Sequence, residues 1–224
     1  MLMFEQYVKD YNEAIIETDK EAAIAVVEEA ISNGVTPEEV VFKIVMPAVE
    51  DMMQLVIDNL DTNLAQHFMT AQIAAEITEK MLAQFSAPPE IIGKAVIGSS
   101  FGDLHSLGKR IVMGCLKSMM VDVIDLGVNI TAVDFVDAAV EHDAQVIAVS
   151  SMMMHTATGE EGSLQIRELL HERGLEKKIK LIVGGSPFRY DKELYTSVGA
   201  DNWAPDGISA AKIICQLIHE VKAS

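Results

Sequence analysis

The spacing of apolar residues along this chain changes once. From Phe4 to Phe85 they recur three and four apart, as on the packed faces of helices, whereas beyond Pro88 and Pro89 they gather into short runs separated by helical stretches. The first region carries the punctuation of about four helices. Asp19 stands where it can cap a helix over Lys20 to Ile31 that closes at Asn33-Gly34, and Thr36-Pro37-Glu38-Glu39 joins a capping box to a proline at the first helical position. Pro47 opens a segment reaching about Asn59. After Asp61-Thr62-Asn63, a long stretch from Leu64 to Phe85 places Leu64, Phe68, Ala71, Ala75, Thr78 and Leu82 on one stripe. The pattern predicts a small helix bundle over residues 1–87.

Ser86-Ala87-Pro88-Pro89 ends that bundle, because a residue before proline avoids the helical region and the second proline extends the effect. It reads as the linker to a second domain over residues 88–224. There, short apolar runs predict strands at Ala95–Gly98, Val121–Leu126, Val146–Ser150 and Lys180–Val183, with a weaker one at Asp201–Ala204. Helices are expected between them, over Lys109–Met120, Gly127–His142, Glu161–Arg173, Tyr190–Val198 and Gly207–Val221. A strand–helix series of this kind implies an α/β domain with a parallel sheet of about five strands, covered by helices on both faces.

Composition narrows the function. With 224 residues, 50% of them hydrophobic, the chain can bury a substantial core. It has no uninterrupted apolar run of membrane-spanning length, and Met1-Leu2-Met3-Phe4-Glu5 lacks the basic and then apolar regions of a secretory leader, so a cytoplasmic protein with no membrane association is expected. A formal charge of −17 argues against a nucleic-acid partner, since phosphate backbones are held by clustered lysine and arginine. Cys115 and Cys215 show neither C-x-x-C nor Cys/His spacing and read as buried, unbridged thiols. Thirteen methionines suit an irregular core, and also surfaces that meet several partners.

The candidate chemistry lies in three loops expected at the carboxyl ends of strands, where open parallel sheets bind ligands. The first is Gly102-Asp103-Leu104-His105-Ser106-Leu107-Gly108, with a carboxylate two residues before a histidine. A histidine that gives one ring N–H to a carboxylate can offer its other nitrogen to a metal in a fixed tautomer. The second runs from Val149 to Thr156 through Ser150, Met152, Met154 and His155. The third contains Gly184-Gly185, where the missing Cβ atoms let a ligand approach the backbone.

Asp103-x-His105-x-x-Gly108, Ser150-x-Met152 and Gly184-Gly185, set in a C-terminal α/β domain behind a helical bundle, resemble the cobalamin-binding proteins of corrinoid-dependent methyltransferase systems over nearly the whole chain. The resemblance implies an N-terminal helical cap over a flavodoxin-like, doubly wound five-stranded sheet. It implies a cobalamin held base-off and histidine-on, with His105 as the lower cobalt ligand, Asp103 tuning it, and Gly102, Leu104, Ser106 and Gly108 completing the loop. Ser150 would contact the displaced base, with Met152 and Met154 nearby; Gly184 and Gly185 would make room for the nucleotide tail, with Ala204 in the same region. It further implies a carrier without catalytic activity of its own, whose cofactor alternates between cob(I)alamin and methylcobalamin. Its partners would be a donor-specific methyltransferase, a second methyltransferase that passes the methyl group to tetrahydrofolate or a thiol, and a reductive activator. The chain departs from the family at Ser106 and Leu107, where Asp and Ile are usual, at Met152, where Leu is usual, and at Met154-His155, which replace a threonine-rich run. Asn63 stands where an aromatic residue commonly covers the cobalt, with His67 one turn later. A cobalamin-dependent sensor and a mutase cobalamin subunit are the alternatives: the first is expected to carry an output module and the second to work against a substrate barrel. A phosphoacceptor receiver or flavin-binding domain fits the α/β half only.

Overall fold

The computed structural model describes residues 2–49, 51, 64–86 and 90–223. The chain divides into two compact units, Met1–Glu90 with Lys117–Met120, and Ile91–Leu116 with Val121–Ser224. In the first unit α1 spans Leu2–Ile16, α2 Lys20–Ser32 and α3 Pro37–Val40, which passes into a wider π-helical turn at Val41–Val45; α4 spans Leu64–Leu82. The expected caps form: Asp19 Oδ1 accepts the Ala22 amide at 2.9 Å, and Thr36 and Glu39 cap each other's backbone with Pro37 at the start of α3. Tyr11, Ile15, Val27, Ile44 and Ile73 fill the core of this unit, and Ala71, Ala75 and Thr78 of the α4 stripe are buried with them. Most of the segment expected from Pro47 to Asn59, the residues Asp61-Thr62-Asn63 that precede α4 and the linker residues Ala87-Pro88-Pro89 lie outside the described residues.

The second unit is built on five parallel strands, β1 Gly93–Ser100, β2 Val121–Ile130, β3 Val146–Ser150, β4 Lys180–Gly184 and β5 Asn202–Ala204, in the order β2-β1-β3-β4-β5. This is the flavodoxin-like, doubly wound order. The chain winds one way from β1 to β2 and the other way from β3 onward, so the loops leaving β1 and β3 diverge and open a crevice at the carboxyl edge. The central strands are nearly continuous in buried apolar residues, as sheets covered on both faces require: Ala95 to Ile97, Val146 to Val149 and Leu181 to Val183. Phe135, Ile147, Ile166, Leu170, Leu181 and Phe188 belong to one buried cluster.

Helices α5 Leu107–Ser118, α6 Ala132–Glu141, α7 Met154–Thr158, α8 Ser163–Glu172, α9 Ser186–Tyr190, α10 Leu194–Ser197 and α11 Gly207–Ala223 complete the unit. Two differ from expectation. The helix expected from Gly127 begins at Ala132, because β2 continues to Ile130. Gly98 and Ser100 of β1 pair with Gly127 and Ile130 across two register shifts, and the Thr131 side chain, accepting the Asp134 amide, starts α6. Of the helix expected over Tyr190–Val198 only α10 forms; Tyr190 instead ends α9, and the extended backbone of Asp191 (φ −122°) parts the two. Among the described residues no helix is long and apolar enough to cross a membrane. Both cysteines are buried, and burial pushes the Cys115 thiol up to about 12.

Candidate functional site

The loop after β1 is built around one buried carboxylate. The Asp103 amide returns to the Ser100 carbonyl at 2.9 Å, which turns the chain sharply and drives the Asp103 side chain inward, where it is 0% exposed. Its Oδ1 accepts the His105 amide at 2.9 Å and faces His105 Nδ1 at 2.8 Å. Its Oδ2 accepts the Met152 amide at 2.6 Å and the Thr156 hydroxyl at 3.2 Å, both from the loop after β3. Burial by itself would push this carboxyl up, but the hydrogen bonds from the Met152 and His105 amides, the His105 ring and the Thr156 hydroxyl together outweigh it and hold the group below its ordinary range. Asp103 is therefore ionised at neutral pH.

That charge decides the histidine's chemistry. An ionised carboxylate only accepts, so in the neutral imidazole the proton sits on Nδ1 and the lone pair on Nε2. The His105 side chain is 59% exposed, and its carbonyl accepts the Ser99 hydroxyl at 2.6 Å. An oriented imidazole thus stands at the carboxyl edge with its Nε2 uncommitted to the carboxylate. Exposed apolar side chains share this edge: Phe101, Leu104 and Leu107 from its own loop, and Met152 and Met154 from the loop after β3. So many exposed apolar groups at one end of a fold mark a surface meant to be covered by something apolar.

The other expected residues fall into a row. Ser99 pairs with Ser150, Ser150 with Gly184 and Gly184 with Ala204, so Ser99, one residue before the end of β1, and the last residues of β3, β4 and β5 form a line of small side chains. A Cβ added at Gly184 would meet only the Ala204 carbonyl, at 3.6 Å, so space is open there. Gly185 differs: at φ +117° its absent Cβ would lie 1.9 Å from the Ser151 carbonyl, so the close passage of two backbone segments itself demands glycine. Gly102 and Gly108 lie exposed at either end of the histidine loop, with Ser106 half-buried between them. Asn63 and the side chain of His67 lie outside the described residues.

Ser99, Ser151 and Thr156 were not singled out in the sequence. Ser151 binds Ser100 hydroxyl to hydroxyl at 2.9 Å, and Thr156 completes the chain Thr156–Asp103–His105. The available signal was a cluster of small hydroxyl residues at the ends of two central strands.

The depressed Asp103 carboxyl has a consequence for acid stability. A group held below its unfolded value near 3.9 contributes stability that is present above that pH and is lost as pH falls through its folded value. Urea unfolding midpoints followed from pH 5 to pH 3 should fall more steeply for wild type than for Asp103→Asn; equal slopes would show that the carboxylate contributes none of the pH dependence.

The fold and this edge define an α/β domain that presents one oriented imidazole within an apolar surround at the carboxyl ends of its strands. Among the described residues no three His, Cys, Asp or Glu side chains converge on a metal site. Residues 93–212 match the family model of the B12 binding domain, and residues 7–56 match a second B12 binding domain model. The chain is 29% identical over 217 residues to trimethylamine corrinoid protein 1 of Methanosarcina acetivorans, covering 95% of this chain and 96% of that one. It is 31% identical over 212 residues to dimethylamine corrinoid protein 3 of the same organism, covering 94% and 96%. Among solved structures, a cobalamin-binding protein from Desulfitobacterium hafniense superposes with a TM-score of 0.75 at 19% identity, covering 92% of this chain and 96% of that one. The methanol:cobalamin methyltransferase complex of Methanosarcina barkeri gives 0.75 at 20% identity, covering 96% and 80%. The chain belongs to the B12-binding corrinoid proteins, and its cofactor is a cobalamin-type corrinoid.

Proposed function

We propose that this protein is a methyl carrier that binds its corrinoid base-off with His105 as the lower cobalt ligand. The observation that carries the reading is the Asp103–His105 pair, in which a buried carboxylate fixes the proton on Nδ1 and leaves Nε2 to coordinate. When bound, the corrinoid supplies a cobalt centre able to accept and give up a methyl group. The residues of the chain do the rest. His105 offers or withdraws its lone pair, Asp103 keeps the ring in one tautomer while Thr156 and the Met152 amide hold the carboxylate still, and the apolar residues at the loop edge exclude water. The row Ser150, Gly184 and Ala204, with the open space at Gly184, is suited to hold the displaced nucleotide tail.

Relatives named for trimethylamine and dimethylamine support a methylated amine as the donor class and a donor-specific methyltransferase as one partner. A second methyltransferase, taking the methyl group to tetrahydrofolate or a thiol, and a reductive activator complete the proposed system. Reconstitution with hydroxocobalamin tests the cofactor geometry. Wild type is expected to give the spectrum of a base-off corrinoid with a histidine ligand, and His105→Ala a base-off spectrum without one. An unchanged spectrum in His105→Ala would remove the ligand assignment.

A further inference from the structure

The end of β2 grips the histidine loop from both sides. Asn129, two residues past the point where a helix was expected to begin, has a left-handed backbone (φ +61°), a conformation that asparagine tolerates better than most residues. In that conformation it faces the loop with two groups. Its Oδ1 accepts the Gly102 amide at 2.8 Å, and its own amide donates to the Asp103 carbonyl at 3.0 Å. At the loop's other end Lys109, 3% exposed, pairs with Asp125 of the same strand, whose Oδ1 also accepts the Gly127 amide at 2.8 Å. The segment carrying His105 is therefore fastened just before Asp103 and just after Gly108.

We propose that Asn129 is a positioning residue for the cobalt ligand: by clasping Gly102 and Asp103 it sets the carboxylate that holds the His105 ring, and so the strength of histidine ligation. The proposal rests on the reading of His105 as lower ligand. It follows from the order of contacts. Asn129 makes no hydrogen bond to the ring, yet the backbone whose carboxylate orients the ring hangs on Asn129 at two points. Freed of one of them, Asp103 can pivot about its remaining bonds, and the His105 proton is no longer confined to Nδ1. Loss of the group that hydrogen-bonds a metal-ligating histidine typically changes metal affinity by about tenfold or more, and Asn129 acts through such a group.

The test uses the full chain as wild type, Asn129→Gly and Asn129→Asp. Glycine keeps the left-handed backbone and the amide donor but removes the side-chain acceptor, whereas aspartate keeps the acceptor. Two measurements are made: the ring ¹⁵N shifts of His105 in the protein without corrinoid, and the histidine-ligated fraction after hydroxocobalamin is added. Asn129→Gly is expected to move the ring shifts toward those of free histidine and to lower the ratio of ligated to unligated cofactor about tenfold, with corrinoid retention and thermal midpoint close to wild type. Asn129→Asp is expected to restore both. Ring shifts that do not move in Asn129→Gly overturn the proposal, and so does an aspartate that fails to restore them. If wild type binds the corrinoid without a histidine ligand, the reading of His105 falls, while the shifts in the corrinoid-free protein still decide whether Asn129 holds the ring.

Discussion

Gly185→Ala is expected to cost about 3 kcal/mol or more of folding stability, read as a lowered urea midpoint and, at 37 °C, as loss of soluble protein. The new Cβ would lie 1.9 Å from the Ser151 carbonyl, and neither atom is the flexible end of a side chain. The backbone at φ +117° and ψ 179° is also in a region that only glycine occupies freely. Relief would require pulling the end of β4 away from the loop after β3, breaking the bond from the Ser151 amide to the Gly184 carbonyl at 2.9 Å. Gly184→Ala is the control. Its Cβ meets an ordinary contact, so it should fold nearly as wild type while hindering whatever occupies the open space there. A Gly185→Ala protein as stable as wild type would show that the two segments can separate at little cost.

Asp103→Ala should be the second large effect, at about 3 kcal/mol. The carboxylate is buried and accepts from the Met152 amide, the His105 amide and the Thr156 hydroxyl as well as from the ring. Thr156 keeps a second acceptor, the Met153 carbonyl at 2.9 Å, and the exposed ring can turn to water. The penalty therefore falls mainly on the two amides, left without an acceptor, and on the tie between the loops after β1 and β3. Asp103→Asn should cost less, because one oxygen remains, although its NH₂ must then face a donor. Chemical unfolding of the three proteins at pH 7 should rank them wild type, Asn, Ala. An alanine variant within a few tenths of a kcal/mol of wild type would mean that water replaces the carboxylate.

The fold was largely readable in the sequence because its signals are local. A strand buried on both faces must be an apolar run, and β1, β3 and β4 are such runs. The caps at Asp19 and Thr36 act within three residues of themselves, so they are visible in a short window. The end of β2 was lost because Gly127 looks like a helix boundary, while the alternation of Leu126, Val128 and Ile130 is too brief to outweigh it. The pairing of Gly127 with Gly98 and of Ile130 with Ser100 on β1 holds that segment as strand. The site divides in the same way. Asp103 and His105 stand two residues apart and advertise their pairing, but the groups that keep Asp103 in place, Met152 and Thr156, come from 49 and 53 residues further along. Only the closing of the sheet at its switch point brings them together. Gly185 illustrates a different limit, since a glycine kept for a ligand and one kept for a crossing backbone look alike in sequence.

The carboxylate that joins the two loops also joins two equilibria. Asp103 holds the imidazole with one oxygen and the segment beside Ser150 with the other, so the free energy of ordering either loop depends on the state of its neighbour. Such dependence is mutual by thermodynamic necessity. If seating a nucleotide tail tightens the loop after β3, the ring is held more firmly; by the same number of kilocalories, a ring drawn toward a metal tightens the grip on the tail. Cargo state and cofactor retention in this protein would then rise and fall together.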